Sequence, residues 1–221
     1  MKRILYIFLL SFILSKKIIK APYIDQTKRW PTGCESVSTV MALQYLGIKI
    51  TVDEFIKYLE KAQIISKNGK LYSSDPRKFF IGSPYTSNSF GCYAPVIKKA
   101  VKKALPIHGK KGVKYEVKDL TGVSMKELIT KYIDKNIPII FWATMNMVPT
   151  RNGAKWIIKE TGKTYVWKAN EHCLLLVGYD HEKYYFNDPW QNHGLIGYQK
   201  SVVELRHKEQ YSMAIAVFEK K

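Results

Sequence analysis

The 221-residue sequence carries 36 Lys and Arg against 18 Asp and Glu, a formal charge of +18, and is 46% hydrophobic. That length suits one domain with ample apolar material for a core, and no repeat or low-complexity tract points to an array or a linker-rich chain. The positive charge favours anionic surroundings such as a cell-envelope polymer or an acidic membrane surface. The lysines are spread along the chain without a nucleic-acid-binding motif, so no specific nucleic-acid partner is expected.

In chain order, Met1-Lys2-Arg3 followed by the largely apolar Ile4 to Leu14 reads as a secretory signal or an uncleaved membrane anchor. Eleven residues are too few for a comfortable span of about 20. Residues 1–20 are therefore set apart from a domain over 21–221, and export to the cell surface or beyond is expected; Ile13-Leu14-Ser15 is a weak cleavage site. The stretch Trp30-Pro31-Thr32-Gly33-Cys34 is a Gly/Pro-broken loop. It runs into a helix marked by Val37, Val40, Met41, Leu43 and Leu46 and stopped by Gly47. Cys34 thus sits at a helix N-terminus, where free N–H groups and the helix dipole favour thiolate over thiol. The alternative is a small buried core cysteine.

Thr51 to Glu54 is a capping box that predicts a second helix to about Ala62, and the polar stretch from Ser66 to Phe90 reads as a long loop beside a cleft, with Asp75, Gly82 and Tyr85 as its candidate lining. Pro95 starts a helix through about Ala104. A strand near Tyr115 to Leu120 precedes a second capping box, Ser124 to Glu127, whose helix ends near Asn136. Ile137 to Ala143 is a buried strand. Ala154 to Ile158 and Thr164 to Lys168 form a hairpin, and Tyr211 to Phe218 closes a sheet.

The run His172 to Tyr179 reads as a buried strand, and Tyr184 to Asp188, ended by Pro189-Trp190, as its hairpin partner. The hairpin returns Asp188 towards His172, in one of two registers. A turn centred on Asp180 puts Asp188 opposite His172, whereas one centred on the whole Asp180–Lys183 loop leaves it three residues short. A carboxylate there would orient an imidazole able to activate Cys34. Trp190 could shield the pair from water, and Gln26, in the loop eight residues before Cys34, could supply an oxyanion donor or simply be solvated. The odd cysteine count leaves one thiol unpaired. Cys92 and Cys173 read as structural, and the remaining histidines, His108, His181, His193 and His207, read as surface residues. Ligand spacing gives no zinc pattern, so no metal and no cofactor is expected.

Gly33-Cys34 at a helix start, His172 and Asp188 resemble the papain-like cysteine peptidases. More closely, Gln26, Trp30 to Ser36, Asp75-Pro76, Phe80 to Pro84, Gly91 to Ile97, Glu171-His172 and Asn187 to Pro189 are similar to the bacterial peptidases that trim double-glycine leaders from bacteriocins. The second cysteine and the aromatic that follow the papain nucleophile are absent, and no transporter segment follows, so a stand-alone peptidase domain is expected. The resemblance implies an α+β, papain-like fold with a helical half carrying the nucleophile packed on a C-terminal antiparallel sheet. It also implies a Cys34-His172-Asp188 triad, Gln26 in the oxyanion hole, and substrate contacts from Trp30, Gly33, Gly82, Tyr85, Glu171 and Trp190. A peptide or protein substrate follows. The same thioester chemistry serves an acyltransferase, and a non-catalytic envelope-binding module is the third reading.

Overall fold

The computed structural model describes residues 16–220, so the N-terminal apolar segment and its cleavage candidate lie outside the described residues. The first element, β1 (Lys17–Ile18), already belongs to the main sheet. It pairs with Tyr179 and Gly178, the Ile19 N–H donates to Val177 O at 2.7 Å, and Ile19 is buried. The folded part therefore begins before the expected boundary at residue 21, because the strand carrying His172 has an edge there that needs a partner.

The helix α1 (Cys34–Tyr45) forms as the periodicity predicts, and its Ser38 hydroxyl donates to Cys173 O at 3.0 Å. Thr51 caps α2 (Val52–Ile56) with both halves of the box, but this helix is only five residues long. After one further turn the chain pairs as β2 (Lys61–Ala62), in parallel with Phe80-Ile81, so a tertiary partner overrides the local helix signal.

The expected loop after Ser66 is interrupted by short strands. β3 (Ile65–Lys67) and β4 (Lys70–Ser73) form a hairpin whose two-residue turn, Asn68-Gly69, has both φ positive (51° and 71°), the backbone that Asn-Gly is suited to adopt. β5 (Phe80–Ile81) pairs with β2. Then come α3 (Ala94–His108), β6 (Tyr115–Asp119), α4 (Met125–Lys131), and a 3-10 turn ending on left-handed Asn136. β7 (Ile139–Thr144) is fully buried; β8 (Arg151–Ile158) and β9 (Thr164–Ala169) form the predicted hairpin. The final run is β10 (Glu171–Tyr179), β11 (Lys183–Asp188), β12 (Gly194–Gln199), α5 (Lys200–Glu209) and β13 (Ala214–Glu219).

The main sheet is antiparallel in the order β12-β11-β10-β7-β13-β6, with β1 on β10. A second sheet, β3-β4-β8-β9, joins the two hairpins through a parallel β4–β8 pairing. Helix α1 packs against β10 and β7, so the helix that opens with Cys34 faces the strand that carries His172, the expected α+β papain-like arrangement. One buried apolar core runs from α1, α2 and α3 to β7, β10 and β13.

Candidate active site

The β10–β11 hairpin brings a base and an acid together. Tyr179 pairs with Tyr184 around the wide turn, which alone would leave Asp188 three residues short of His172. A bulge between Leu176 and Gly178 then shifts the register so that Leu175 pairs with Asn187. Continued, that register puts Asp188 opposite Leu174, two residues from His172. Residues two apart share a strand face, so the side chains meet diagonally. His172 Nε2 lies 2.7 Å from Asp188 Oδ1, and both side chains are buried.

Asp188 is well supplied with donors. Besides His172 it accepts from the Trp190 N–H at 3.0 Å and the Tyr198 hydroxyl at 3.1 Å, and it faces His193 Nδ1 at 3.2 Å. Burial opposes its ionisation, but the charge and hydrogen bond of His172 and the donors Trp190 and His193 outweigh burial. They hold the carboxyl well below its usual range. His193 is not the surface residue that the sequence predicts, because the turn after Trp190 folds its ring back onto Asp188. His207 is also buried, stacked on Phe141 with Nδ1 2.7 Å from Trp142 O, and burial lowers its pKa to about 4.

Cys34 opens α1 and lines a cleft of about 230 Å³ with His172, Glu171 and Gln26. Ser89 and Phe90 come from the segment after β5, Trp167 from β9, and Thr32, Met145 and Asn170 complete the rim. A larger concavity of about 1010 Å³, between β6, β13 and α4, carries no cysteine or histidine; chemistry rather than size marks the site. His172 Nδ1 is buried and has no partner, leaving that nitrogen free for a proton. Gln26 Nε2 donates to Pro31 O at 3.2 Å, which occupies one of its two N–H groups. The Cys34 N–H is in the first turn of α1, where no intrahelical acceptor exists.

The thiol itself departs from expectation. Cys34 Sγ donates to Glu35 Oε2 at 3.3 Å, and Glu35 also accepts the Cys92 N–H at 2.6 Å. Burial, then the charges of Glu35 and Glu171, push the thiol well above its ordinary value; the Cys173 N–H opposes them only in part. The helix terminus alone would lower it, and burial together with the two buried carboxyl groups reverses that sign. Burial likewise raises Glu35 to about 7, and burial with the Glu35 charge also pushes Glu171 up. Gly91, at φ +124°, makes room for them: a Cβ there would lie 2.5 Å from Glu35 Oε1 and 3.3 Å from Glu171 Oε2.

Of the six expected substrate contacts, only Glu171 lines the cleft. Trp30 Nε1 and the Tyr85 hydroxyl both donate to Asp53, at 2.8 and 2.9 Å, and so build a polar cluster beside Arg29 instead. Gly33 lets its loop close, since a Cβ would lie 2.7 Å from Trp30 Cβ, and Gly82 packs against Ser89 at φ +100°. Trp190 contributes its N–H to Asp188. Asp75 caps the turn after β4 through the Arg77 N–H. Ser89 and Phe90 lie at the end of the loop expected beside the cleft and Thr32 in the Trp30 to Ser36 motif, though the sequence singles out none of them; Met145, Trp167 and Asn170 carry no local signal, and Glu35 carries one. A glutamate on an apolar helical run is such a signal.

The matching family model is "Peptidase_C39 like family", over residues 18–215. No curated protein matches the sequence. A crystal structure of a "putative C39-like peptidase" from Bacillus anthracis superposes with a TM-score of 0.79 at 26% identity, covering 94% of this chain and 99% of the other. Matched over nearly its whole described length, and sharing the α+β fold of that neighbour, the chain belongs to the peptidase C39-like family of cysteine peptidases.

Proposed function

We propose that this chain hydrolyses a peptide or amide bond through a thioester on Cys34, with His172 as base and acid and Asp188 as its orienting partner. The observation that carries the reading is the buried His172 Nε2–Asp188 bond of 2.7 Å, with His172 Nδ1 left unpartnered in the residue that shares a cleft with Cys34. Asp188 fixes the tautomer and offsets the charge that develops on the ring. His172 Nδ1 takes the thiol proton once Sγ swings from Glu35 to another staggered rotamer. The thiolate attacks the carbonyl, and the Cys34 N–H with the free Gln26 N–H receives the oxyanion. The imidazolium then protonates the leaving amine, and water, deprotonated by His172, releases the acid and restores the thiol.

Export is part of the proposal, resting on the Met1 to Leu14 pattern, as is an anionic envelope or membrane surface as neighbour, resting on the +18 charge. Cell fractionation, and salt-dependent retention on anionic polymer, check these two. The chemical reading is tested with a peptide library and mass-spectrometric product analysis. Cys34→Ala and His172→Ala are expected to lower cleavage by several orders of magnitude. Equal cleavage by Cys34→Ala would refute the assignment. Amide product that grows with added amine at the expense of free acid would reassign the chain to acyl transfer.

A further inference from the structure

The donor cluster at the nucleophile is more than a thiol beside a base. Among the described residues, Cys34, Glu35 and Glu171 form the one group of metal-type donors that offer one atom each, all within 4.8 Å of one another, and all three residues are buried. His172 is not a member of the group. Two independent features point to a cationic ligand. Glu171 Oε1 is buried without any hydrogen-bond partner, in a residue only 9% exposed. Among the described residues, no Lys, Arg or His forms an ion pair with Glu35 or Glu171. Ionised together, two carboxylates and a thiolate packed this closely are costly; such a cluster is relieved by keeping its protons or by taking a cation, and the unpartnered Glu171 Oε1 favours the cation.

We propose that Cys34 Sγ, Glu35 and Glu171 form a three-donor site for a borderline-soft divalent cation, Zn²⁺, whose binding reversibly blocks the nucleophile. One thiolate and two carboxylates are ligands Zn²⁺ accepts, and three protein donors leave a fourth position for water. Cys34 and Glu171 both line the cleft, so the ion has an entry path. Gly91 backs the carboxylates with no side chain to obstruct them. Binding displaces to solvent the Cys34 proton and any proton held by Glu35 or Glu171, and no oxidant or reductant is needed. The sequence hides this donor set, because Glu171 lies 136 residues from Glu35 and only the packing of α1 on β10 unites them.

The test uses the whole chain, stripped with a chelator and then given Zn²⁺ alone. One equivalent is expected to bind, and zinc X-ray absorption is expected to show a single sulfur near about 2.3 Å with oxygen and no imidazole scattering. Circular dichroism checks that Glu171→Gln is folded. That variant is expected to bind at least roughly tenfold more weakly, the scale on which loss of even an outer-sphere partner registers. Zn²⁺ is expected to protect Cys34 from alkylation in the parent and less so in Glu171→Gln. Imidazole scattering, absence of stoichiometric binding, or equal affinity in Glu171→Gln would overturn the site. The absorption measurement on the parent decides the matter even if the variant fails to fold. None of these readouts depends on peptide cleavage, so the site and the peptidase reading stand or fall separately.

Discussion

Replacing Glu35 by glutamine is the perturbation that best separates the forces on the Cys34 thiol. Glu35 Oε2 lies 3.3 Å from Cys34 Sγ, and with a pKa raised to about 7 it is ionised wherever an elevated thiol begins to titrate. Two unit charges at that distance repel by about 5 kcal/mol at an effective dielectric of 20 and by about 1.3 kcal/mol in water-like surroundings. At about 1.4 kcal/mol per pH unit, removing the charge should lower the Cys34 midpoint by roughly one to four units. The geometry reinforces the direction. In Glu35→Gln the side-chain amide oxygen can keep the Cys92 N–H, bonded at 2.6 Å in the parent, which turns the amide N–H towards sulfur, where it favours thiolate. The assay is the pH dependence of Cys34 alkylation in chelator-containing buffer, mapped by mass spectrometry, with Cys92 and Cys173 as internal references. A midpoint that stays put or rises in Glu35→Gln would refute the argument that the carboxylate dominates the helix terminus.

The same group sets a pH dependence of stability. Glu35 holds its proton more tightly folded than unfolded, so its contribution is complete below about pH 4.5 and fades as pH rises through about 7. Chemical denaturation should show a decline across that window in the parent that is flatter in Glu35→Gln. Asp188 carries the opposite sign, contributing above its ordinary value and losing that contribution as pH falls. Asp188→Ala, which strips a buried partner from His172, should cost about 3–5 kcal/mol, and Asp188→Asn, which keeps an acceptor, should cost less. An unchanged denaturation midpoint in Asp188→Ala would show that the pair is not buried in solution. Gly178→Ala should loosen the N-terminal strand, because a Cβ there would run into Lys17 O, and faster amide exchange at Ile19 is the reading.

What the residues announced locally is what local physics controls. The helix at Cys34 follows from apolar spacing and a Gly stop, and the Thr51 cap from its box with Glu54. The strands of the hairpin carrying His172 and Asp188 follow from an apolar run, a polar turn and a terminal proline. Asn68-Gly69 carried an equally clear turn signal inside a stretch that reads as loop, since polar composition masked two short strands. Helix α5 stayed hidden because its buried positions, Val203, Arg206 and His207, include two polar residues, while Val202 and Leu205 face solvent. The register of His172 with Asp188 depended on a bulge that no turn rule supplies. By itself, then, the sequence determined the elements that bear Cys34, His172 and Asp188, because each element rests on a few neighbouring residues. Only the tertiary structure decided the cleft walls, the strand made by Lys17–Ile18, and the meeting of Glu35 with Glu171 behind Cys34. Those depend on contacts between distant segments, and it is there that burial and like charge reverse the sign that the helix terminus alone would give the thiol.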